Sequence, residues 1–566
     1  MDTKGTNHAF DAEMSTMIIA AGVQNLQEHV QEVNDLNVFP IPDGDTGDNM
    51  LMTIRGAEKA LQGTGDNTAE NARAVANGML LAARGNSGVI LSQFFAGLAE
   101  CIADNEKVNV HIMENAFRNG VKRAYSAVMT PTEGTILTVA REATEYACAQ
   151  HKEHTVEFMD AFLEEAKRSL ERTPDQLAVL KKAGVVDSGG AGLIYIIEGM
   201  RNALNGDVTA FRDLSKESHG PAKMQAPGTQ MLNVDLFTAD SELTLGYCTE
   251  VLVRLQNKKT DIANFKVDVV NEFLQTIGNS VVAFVNGSIL KIHVHTKTPD
   301  KVLAFCQQYG EFLTVKVENM SLQNNNLPET AAYVKQEKTQ EQEVKERVPY
   351  AVVAVCSGKG IQETFREMGA DYIVDGGQSM NPSASDFIKA FDEVHADTIL
   401  VFPNNSNVIL AAQQAASLYT ESDVRVIESK TIGDGYAALG MLNTDLGSTD
   451  EIVEELRSAM EGVITASVSV CSRDAEMDGL TMHPGQYIGF AGKSILAVND
   501  GRADAAKALA DRLDYTDHEV CILVRGRDSD EAEAGEIASY IEKQHRCEVY
   551  TIDGGQDIYS YILIVE

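Results

Sequence analysis

Apolar residues recur near a 3.6-residue period through the first two hundred positions. Phe10, Met14, Met17, Ile18, Ala21, Val23, Leu26 and Val30 set the first stripe. The same spacing returns over 71–102, 111–129, 136–150, 155–171 and 189–204, and such a period predicts helices. Strand-like runs are nearly absent there. Breaks fall at Gly85-Asn86-Ser87-Gly88, Pro131-Thr132-Glu133-Gly134-Thr135 and Asp187-Ser188-Gly189-Gly190, each directly before an apolar stretch. The pattern predicts a compact helical domain with its loops gathered at helix N-termini. From about 206 to 230 the period fails, and Lys216–Lys223 and Pro227-Gly228 read as linker. Between 231 and 330 the signal changes: Leu243–Leu255, Val281–Val285 and Ser288–His295 read as strands, and 260–277 and 298–309 as helices, a small α/β domain. Gln336–Arg347 is polar and charged, a second linker. Beyond 349, strands at Tyr350–Val355, Tyr372–Val374, Thr398–Phe402, Val424–Glu428, Ile464–Val470, Val520–Arg525 and Tyr559–Val565 alternate with helices, which implies parallel βαβ units. Tyr372–Gln378 echoes Tyr550–Gln556, either as a trace of two related halves or as a recurrent strand-to-turn solution.

With 566 residues, the chain is expected to form several domains. No run of 18 apolar residues suggests a membrane span, and the N-terminus lacks the sections of a signal peptide. The eight cysteines are scattered without a C-x-x-C pair, which reads as reduced thiols. A net charge of -36 argues against non-specific nucleic-acid or anionic-membrane binding. A soluble cytoplasmic protein is the expectation.

The densest chemistry lies in Asn37–Met50. Pro40 and Pro42 extend the backbone, and Gly44 and Gly47 permit a tight turn. Asp43 and Asp45 can then converge on one point, where two carboxylates repel unless a proton or hard cation lies between them. Oxygen ligands of this kind suit Mg²⁺, which keeps positions for water and phosphate. An exposed Asp-Gly turn is the alternative; Asn37, Thr46 and Asn49 in the same turn favour the metal. The three glycine loops offer backbone N–H groups at helix starts, suited to phosphate, although singly each reads equally as an N-cap or turn. No G-x-x-x-x-G-K-[ST] loop and no protein-kinase signature occurs, so phosphate handling needs another scaffold.

The segment Leu36–Met50, followed by the GNSG, PTEGT and DSGG loops in that order, resembles the ATP-binding domain of bacterial dihydroxyacetone kinases. Its proline-rich form resembles the catalytic subunit of bacterial fatty acid kinase, and the resemblance runs essentially the whole chain. It implies an all-α antiparallel eight-helix barrel over 1–206 holding ATP and two Mg²⁺, a small α/β middle domain over 231–330, and an α/β DegV-like domain over 349–566. It also implies transfer of the γ-phosphoryl group to a fatty acid carboxylate presented by a separate fatty-acid-binding protein of the DegV type, giving an acyl phosphate for phospholipid synthesis. Carried over, Asp43 and Asp45 become Mg²⁺ ligands, with Asn37 where the dihydroxyacetone kinases have a further aspartate. Thr46, Gly47, Asn49, Asn86, Ser87, Gly88, Gly134, Thr135, Asp187, Ser188, Gly189 and Gly190 line the nucleotide. Asp48 departs from the pattern and either faces solvent or joins the metal shell. A carboxylate acceptor is already ionised at neutral pH, and phosphoryl transfer needs positioning and charge neutralisation more than a protein nucleophile. Hence the lack of a histidine in the motifs is no obstacle.

Ile292-His293-Val294-His295 on a predicted strand places both imidazoles on one face, and Cys248 lies on an earlier strand. The three make a candidate zinc site or else ordinary strand positions; the resembling family carries Cys and H-x-H here, which favours structural zinc. In the last domain, 376–383, 403–407 and 429–435 follow predicted strands, where open α/β sheets bind ligands. They read as a lipid site or as turns on a domain that docks the lipid-loaded partner; docking is favoured because the acyl chain is assigned to another protein. The competing functions are a dihydroxyacetone-type small-molecule kinase and a non-catalytic lipid-sensing scaffold. A homodimer is left open.

Overall fold

A computed structural model describes residues 12–37, 44–206, 247–319 and 347–566, apart from 63, 65, 66, 106, 261, 263, 264, 287, 288, 378, 379, 445, 446 and 517. Both predicted linkers lie almost wholly outside the described residues. The chain groups into two compact units: 1–218 together with 345–566, and 219–344.

The first two hundred residues are helical, as their periodicity predicts: α1 Ala12–Glu28, α2 Val30–Asp35, α3 Thr46–Leu61, α4 Thr68–Ala82, α5 Gly85–Ile102, α6 Val110–Ser126, α7 Ile136–Ala149, α8 Thr155–Gln176, α9 Ala178–Ala183 and α10 Ser188–Leu204. The stripe over 71–102 proves to be two helices, because Arg84 is extended and Gly85 takes φ +57°. Leu26, Met50, Ile54, Phe158, Phe162 and Ile197 are fully enclosed in one core. Around it α1 packs on α3 and α10, α3 on α4, α4 on α5, α5 on α6, α6 on α7, α7 on α8, and α8 on α10. Where α3 meets α4 the backbones nearly touch. A Cβ on Gly56 would stand 2.2 Å from the Gly78 carbonyl oxygen, and one on Gly78 would stand 2.3 Å from that of Gly56.

The 219–344 unit holds one antiparallel sheet, ordered β2-β3-β1-β4, from β1 Tyr247–Leu255, β2 Gly278–Asn286, β3 Ile289–Thr296 and β4 Gly310–Asn319. Helices Asp268–Ile277 and Pro299–Cys306 supply Leu274 and Val302 to its core. Strand β4 escapes the pattern reading, because its exposed positions Leu313, Val315 and Val317 are themselves apolar and erase the inside-outside contrast.

Residues 347–566 form two main sheets and a two-stranded hairpin. The first is parallel, ordered β6-β5-β7-β8, from β5 Val348–Cys356, β6 Tyr372–Asp375, β7 Ala396–Phe402 and β8 Asp423–Val426. The second is ordered β13-β12-β9-β16-β14-β15, from β9 Ile464–Val470, β12 Tyr487–Ala491, β13 Ser494–Asn499, β14 Val520–Arg525, β15 Glu548–Asp553 and β16 Tyr559–Val565. Of its pairs only β14 with β15 is parallel, so the parallel reading holds for the first half and is corrected for the second. For β12 and β13 the cause is loop length: a tight turn at Gly492 joins them, and so short a connection admits only antiparallel neighbours. Between β9 and β12 lies a hairpin, β10 Ala475–Met477 with β11 Leu480–Met482.

The helical and C-terminal parts share a core. Ala83 and Val89, flanking the GNSG loop, are buried among Phe387, Ile399, Val401 and Ala411. Arg84 bridges Ser383 in strand fashion, and Ala384 N–H donates to the Ala83 carbonyl at 3.2 Å. Gln93 Nε2 donates to Gln414 Oε1 at 2.9 Å, while the Gln414 amide donates back to the Leu80 carbonyl. Among the described residues no helix is long and apolar enough to cross a membrane.

Candidate functional site

All four sequence motifs end up at helix N-termini: α3 follows the aspartate turn and α7 the PTEGT loop, while the GNSG residues form the first turn of α5 and the DSGG residues the cap and first turn of α10. Two of these helices cap themselves. Thr135 accepts from Leu137 N–H at the start of α7, and Asp187 Oδ2 accepts from Gly190 N–H at 2.7 Å at the start of α10. The third, α3, takes no cap from Asp45 but is capped from α2, Gly47 N–H donating to Asn34 Oδ1 at 2.7 Å, and α5 carries no side-chain cap from Arg84. Orphan N–H groups at an uncapped helix start, reinforced by the macrodipole, are a ready anion site.

The loops are tied to one another. Thr46 Oγ1 donates to Asn37 Oδ1 at 2.8 Å, and Ser188 Oγ donates to Thr46 Oγ1 at 3.4 Å, so the aspartate turn and the DSGG loop meet. Asp187 also accepts from the Ile136 N–H, joining the DSGG and PTEGT loops. The GNSG loop folds over α3. A Cβ on Gly85 would stand 2.7 Å from Asn49 Nδ2, and one on Gly88 would stand 2.4 Å from Thr53 Oγ1, so neither glycine tolerates a side chain without movement. Asn49 and Thr53 are buried beneath it, with Thr53 Oγ1 donating to the Asn49 carbonyl at 2.7 Å. In the PTEGT loop, Glu133 is gripped by Tyr125, Thr138 and Arg141 at 2.6–3.0 Å. Those bonds hold its carboxyl below the usual range even though burial pulls it upward.

Asp48 is exposed, and its Oδ2 accepts from Asn34 Nδ2 at 2.7 Å while Asn34 Oδ1 accepts from Gly47 N–H at 2.7 Å. Asp48 thus belongs to a clamp on the turn. Asn34 was not visible as a functional residue, since it sits in a helical stripe with no motif around it.

The C-terminal domain reaches into the same place. Asn381, only 1% exposed, donates its Nδ2 amide to Asp45 Oδ2. Its carbonyl oxygen accepts from Arg84 Nη1 at 2.8 Å. Asn86 Nδ2 donates to Asn407 Oδ1 at 3.2 Å. Both asparagines lie in the loops after β6 and β7 that the sequence marks as ligand-facing or docking turns. A cavity of about 730 Å³ opens between the two parts. Asn37, Asn86, Ser87, Asp187 and Ser188 line it from the helical side, and the loops after β6, β7 and β8 line it from the other.

Among the described residues no three His, Cys, Asp or Glu side chains gather at one point. Asp43 lies outside the described residues. What is present at the turn is hard oxygen: the Asp45 carboxylate, the Asn37 amide oxygen, and the buried Oδ1 atoms of Asn86 and Asn381, which have no hydrogen-bond partner among the described residues. That donor set fits a Mg²⁺-type cation. Cys248, His293 and His295 are described by backbone alone; the register sets Cys248 opposite His295 and Glu250 opposite His293.

A helical domain whose loops meet at N-termini around hard oxygen donors, joined to two α/β regions, defines a phosphate-handling class outside the P-loop and protein-kinase scaffolds. Family models then match in chain order: the DAK2 domain over 40–202, the middle domain of the FakA-like fatty acid kinase family over 244–327, and the C-terminal domain of that same family over 351–566. Protein YloV of Bacillus subtilis is 36% identical over 98% of this chain and 99% of its own. An uncharacterized protein of Staphylococcus epidermidis is 36% identical over 97% and 98%. Among solved structures, the dihydroxyacetone kinase from C. freundii in complex with AMP-PNP and Mg²⁺ is 18% identical, covers 36% of each chain and has a TM-score of 0.28. The chain belongs to the FakA-like fatty acid kinase family, and its N-terminal domain is a kinase domain.

Proposed function

We propose that this protein uses ATP to phosphorylate the carboxylate of a fatty acid presented by a separate fatty-acid-binding protein of the DegV type, giving an acyl phosphate. The observation that carries the reading is the packing of the α5 N-terminus, which has no side-chain cap from Arg84, on the first turns of α3 beside Asp45 and Asn37. In this reading Asp43, Asp45 and Asn37 hold two Mg²⁺, which neutralise charge on the phosphates when bound. Thr46, Gly47, Asn49, Asn86, Ser87 and Gly88 surround the phosphates. Gly134, Thr135 and the Asp187–Gly190 turn close the nucleotide's other side. The closed succession of neighbours α1, α3, α4, α5, α6, α7, α8, α10 supports an eight-helix barrel, and the two-sheet region 349–566 is read as DegV-like. The three segments 1–206, 231–330 and 349–566 remain the proposed domains, in a cytoplasmic protein.

Purified protein is incubated with ATP, Mg²⁺, oleate and a DegV-type carrier, and acyl phosphate is trapped with hydroxylamine. Asp45→Ala should lower turnover by about 10² or more, as loss of oriented charge does, with the circular dichroism spectrum unchanged. Retention of a tenth of the activity overturns the metal assignment.

Cys248, His293 and His295 are assigned one structural Zn²⁺, supported by the pairing of Cys248 opposite His295 on adjacent strands. Elemental analysis of untagged protein should give one equivalent of zinc, and much less after His293→Ala with His295→Ala. Unchanged zinc in that double variant removes the site.

A further inference from the structure

Asp45 holds the N-cap position of α3, where an aspartate ordinarily accepts from the backbone N–H of the second or third helical residue. It makes no such bond here. The acceptor comes from α2 instead: Asn34 Oδ1 takes the N–H of Gly47, the second residue of α3, at 2.7 Å. Gly47 makes this approach possible, since a Cβ there would stand 2.5 Å from the Val30 carbonyl oxygen and 2.9 Å from Asn34 Oδ1. The Asp45 carboxylate is engaged away from its helix, with its Oδ2 accepting from Asn381.

Asn34 is 8% exposed, and its side-chain amide is fixed at both ends. A backbone N–H can only donate and a carboxylate can only accept. Oδ1 must therefore face Gly47, and Nδ2 must face Asp48, whose Oδ2 it meets at 2.7 Å. The Asn34 backbone carbonyl reaches the other arm of the turn. It accepts from Asn37 N–H at 3.1 Å, and a Cβ on Gly44 would stand 3.0 Å from it. One residue of α2 thus grips positions 37 and 44 on one side of Asp45 and positions 47 and 48 on the other. Filling the core would call for none of these polar contacts.

Resting on the kinase reading above, we infer that Asn34 is a positioning residue for the metal: it caps α3 in place of Asp45 and so keeps the Asp45 carboxylate turned from its own helix toward the Mg²⁺ of that reading. Without Asn34, the Gly47 N–H falls to the acceptor at the ordinary capping position, which is Asp45. A carboxylate that caps its helix has spent a lone pair and lost its aim as a ligand. Asp48 serves the same end at one remove, by fixing which way the Asn34 amide faces. Groups behind a ligand commonly set its orientation; Asn34 does so by occupying the bond that the ligand would otherwise make.

The test needs neither a fatty acid nor a carrier. Full-length protein is titrated with AMP-PNP by calorimetry, once in EDTA and once in Mg²⁺, and the ratio of the two affinities is the gain that the metal provides. Asn34→Ala should shrink that gain by about 10–100-fold and leave the affinity in EDTA unchanged. Asn34→Leu, of similar volume, serves if circular dichroism shows that the alanine variant does not fold. Exchanging the pair, Asn34→Asp with Asp48→Asn, keeps an acceptor for Gly47, rebuilds the second bond with donor and acceptor reversed, and preserves the net charge. The exchanged pair should therefore keep the native gain. A gain that Asn34→Ala leaves intact, whether the two affinities hold or fall together, overturns the inference alone. An exchanged pair no better than Asn34→Ala also overturns it alone, since the bonds would then not be the cause. Native protein that gains nothing from Mg²⁺ overturns the metal assignment of the kinase reading, and this inference with it.

Discussion

Asp187 caps a helix at an electrostatic cost. Burial pushes its carboxyl up from 3.8 to about 6, against the pull of the Gly190 and Ile136 amides. Because the folded value lies above the unfolded one, the folded state binds the proton more tightly, and this contribution to stability is lost as pH rises from about 4 through 6. Asp187→Asn keeps a capping acceptor and removes the ionisation. The variant should gain at most about 3 kcal/mol over the native protein at pH 7, with the gain vanishing near pH 4. Thermal unfolding at several pH values reads this; a pH-independent difference would show that the carboxyl is hydrated in solution. Asn381 bears on the site from the other side. Its bond to Asp45 Oδ2 fixes how that carboxylate is turned, the arrangement in which an outer partner orients a ligand. Asn381→Ala should raise the Mg²⁺ concentration needed for AMP-PNP binding by about 10–100-fold, measured by calorimetry at fixed nucleotide. An unchanged Mg²⁺ dependence would reduce Asn381 to an interface residue. Asp45 stands out in the sequence because it shares a turn with a second aspartate and two glycines. Asn381 has no such company, and what marks it is contact with a residue 336 positions away.

Helices of this protein approach one another through glycine. Gly78 faces the Gly56 backbone so closely that Gly78→Ala forces α3 and α4 apart. It should lower stability by about 1–3 kcal/mol, the usual cost of overpacking, seen as a lower urea midpoint with the slope unchanged. A gain in stability, as expected if helix propensity alone mattered, would mean that the two helices separate easily. At this scale the 3.6 period located most of the helical domain, because a buried stripe is a local property of the chain. The period fails for α9, too short at six residues to show one, and it merges α4 with α5, since the break needs only Arg84 extended and Gly85 at positive φ. Strand direction was half legible. Alternation with helices announces parallel β5–β8, whereas β12 and β13 are set antiparallel by the tight turn that joins them.

Across the whole molecule, acidic surface dominates, and 83 Asp and Glu oppose 47 Lys and Arg. Self-repulsion of this kind disfavours the compact state and is screened over about 10 Å at 0.1 M salt. Raising NaCl from about 10 to 150 mM should therefore raise the melting temperature, followed by scanning calorimetry; a fall would mean that specific ion pairs such as Arg502–Glu533 outweigh the net repulsion. The sequence by itself determined the helical and α/β regions and the four motifs at helix starts, because period and turn residues are written into neighbouring positions. Only the tertiary structure decided that those loops meet, that Ala83 and Val89 are buried in the C-terminal core, and that Asn381 and Asn407 reach Asp45 and Asn86. Those outcomes depend on contacts between residues hundreds of positions apart, made when two apolar surfaces exclude water together, and no local pattern of side chains encodes them.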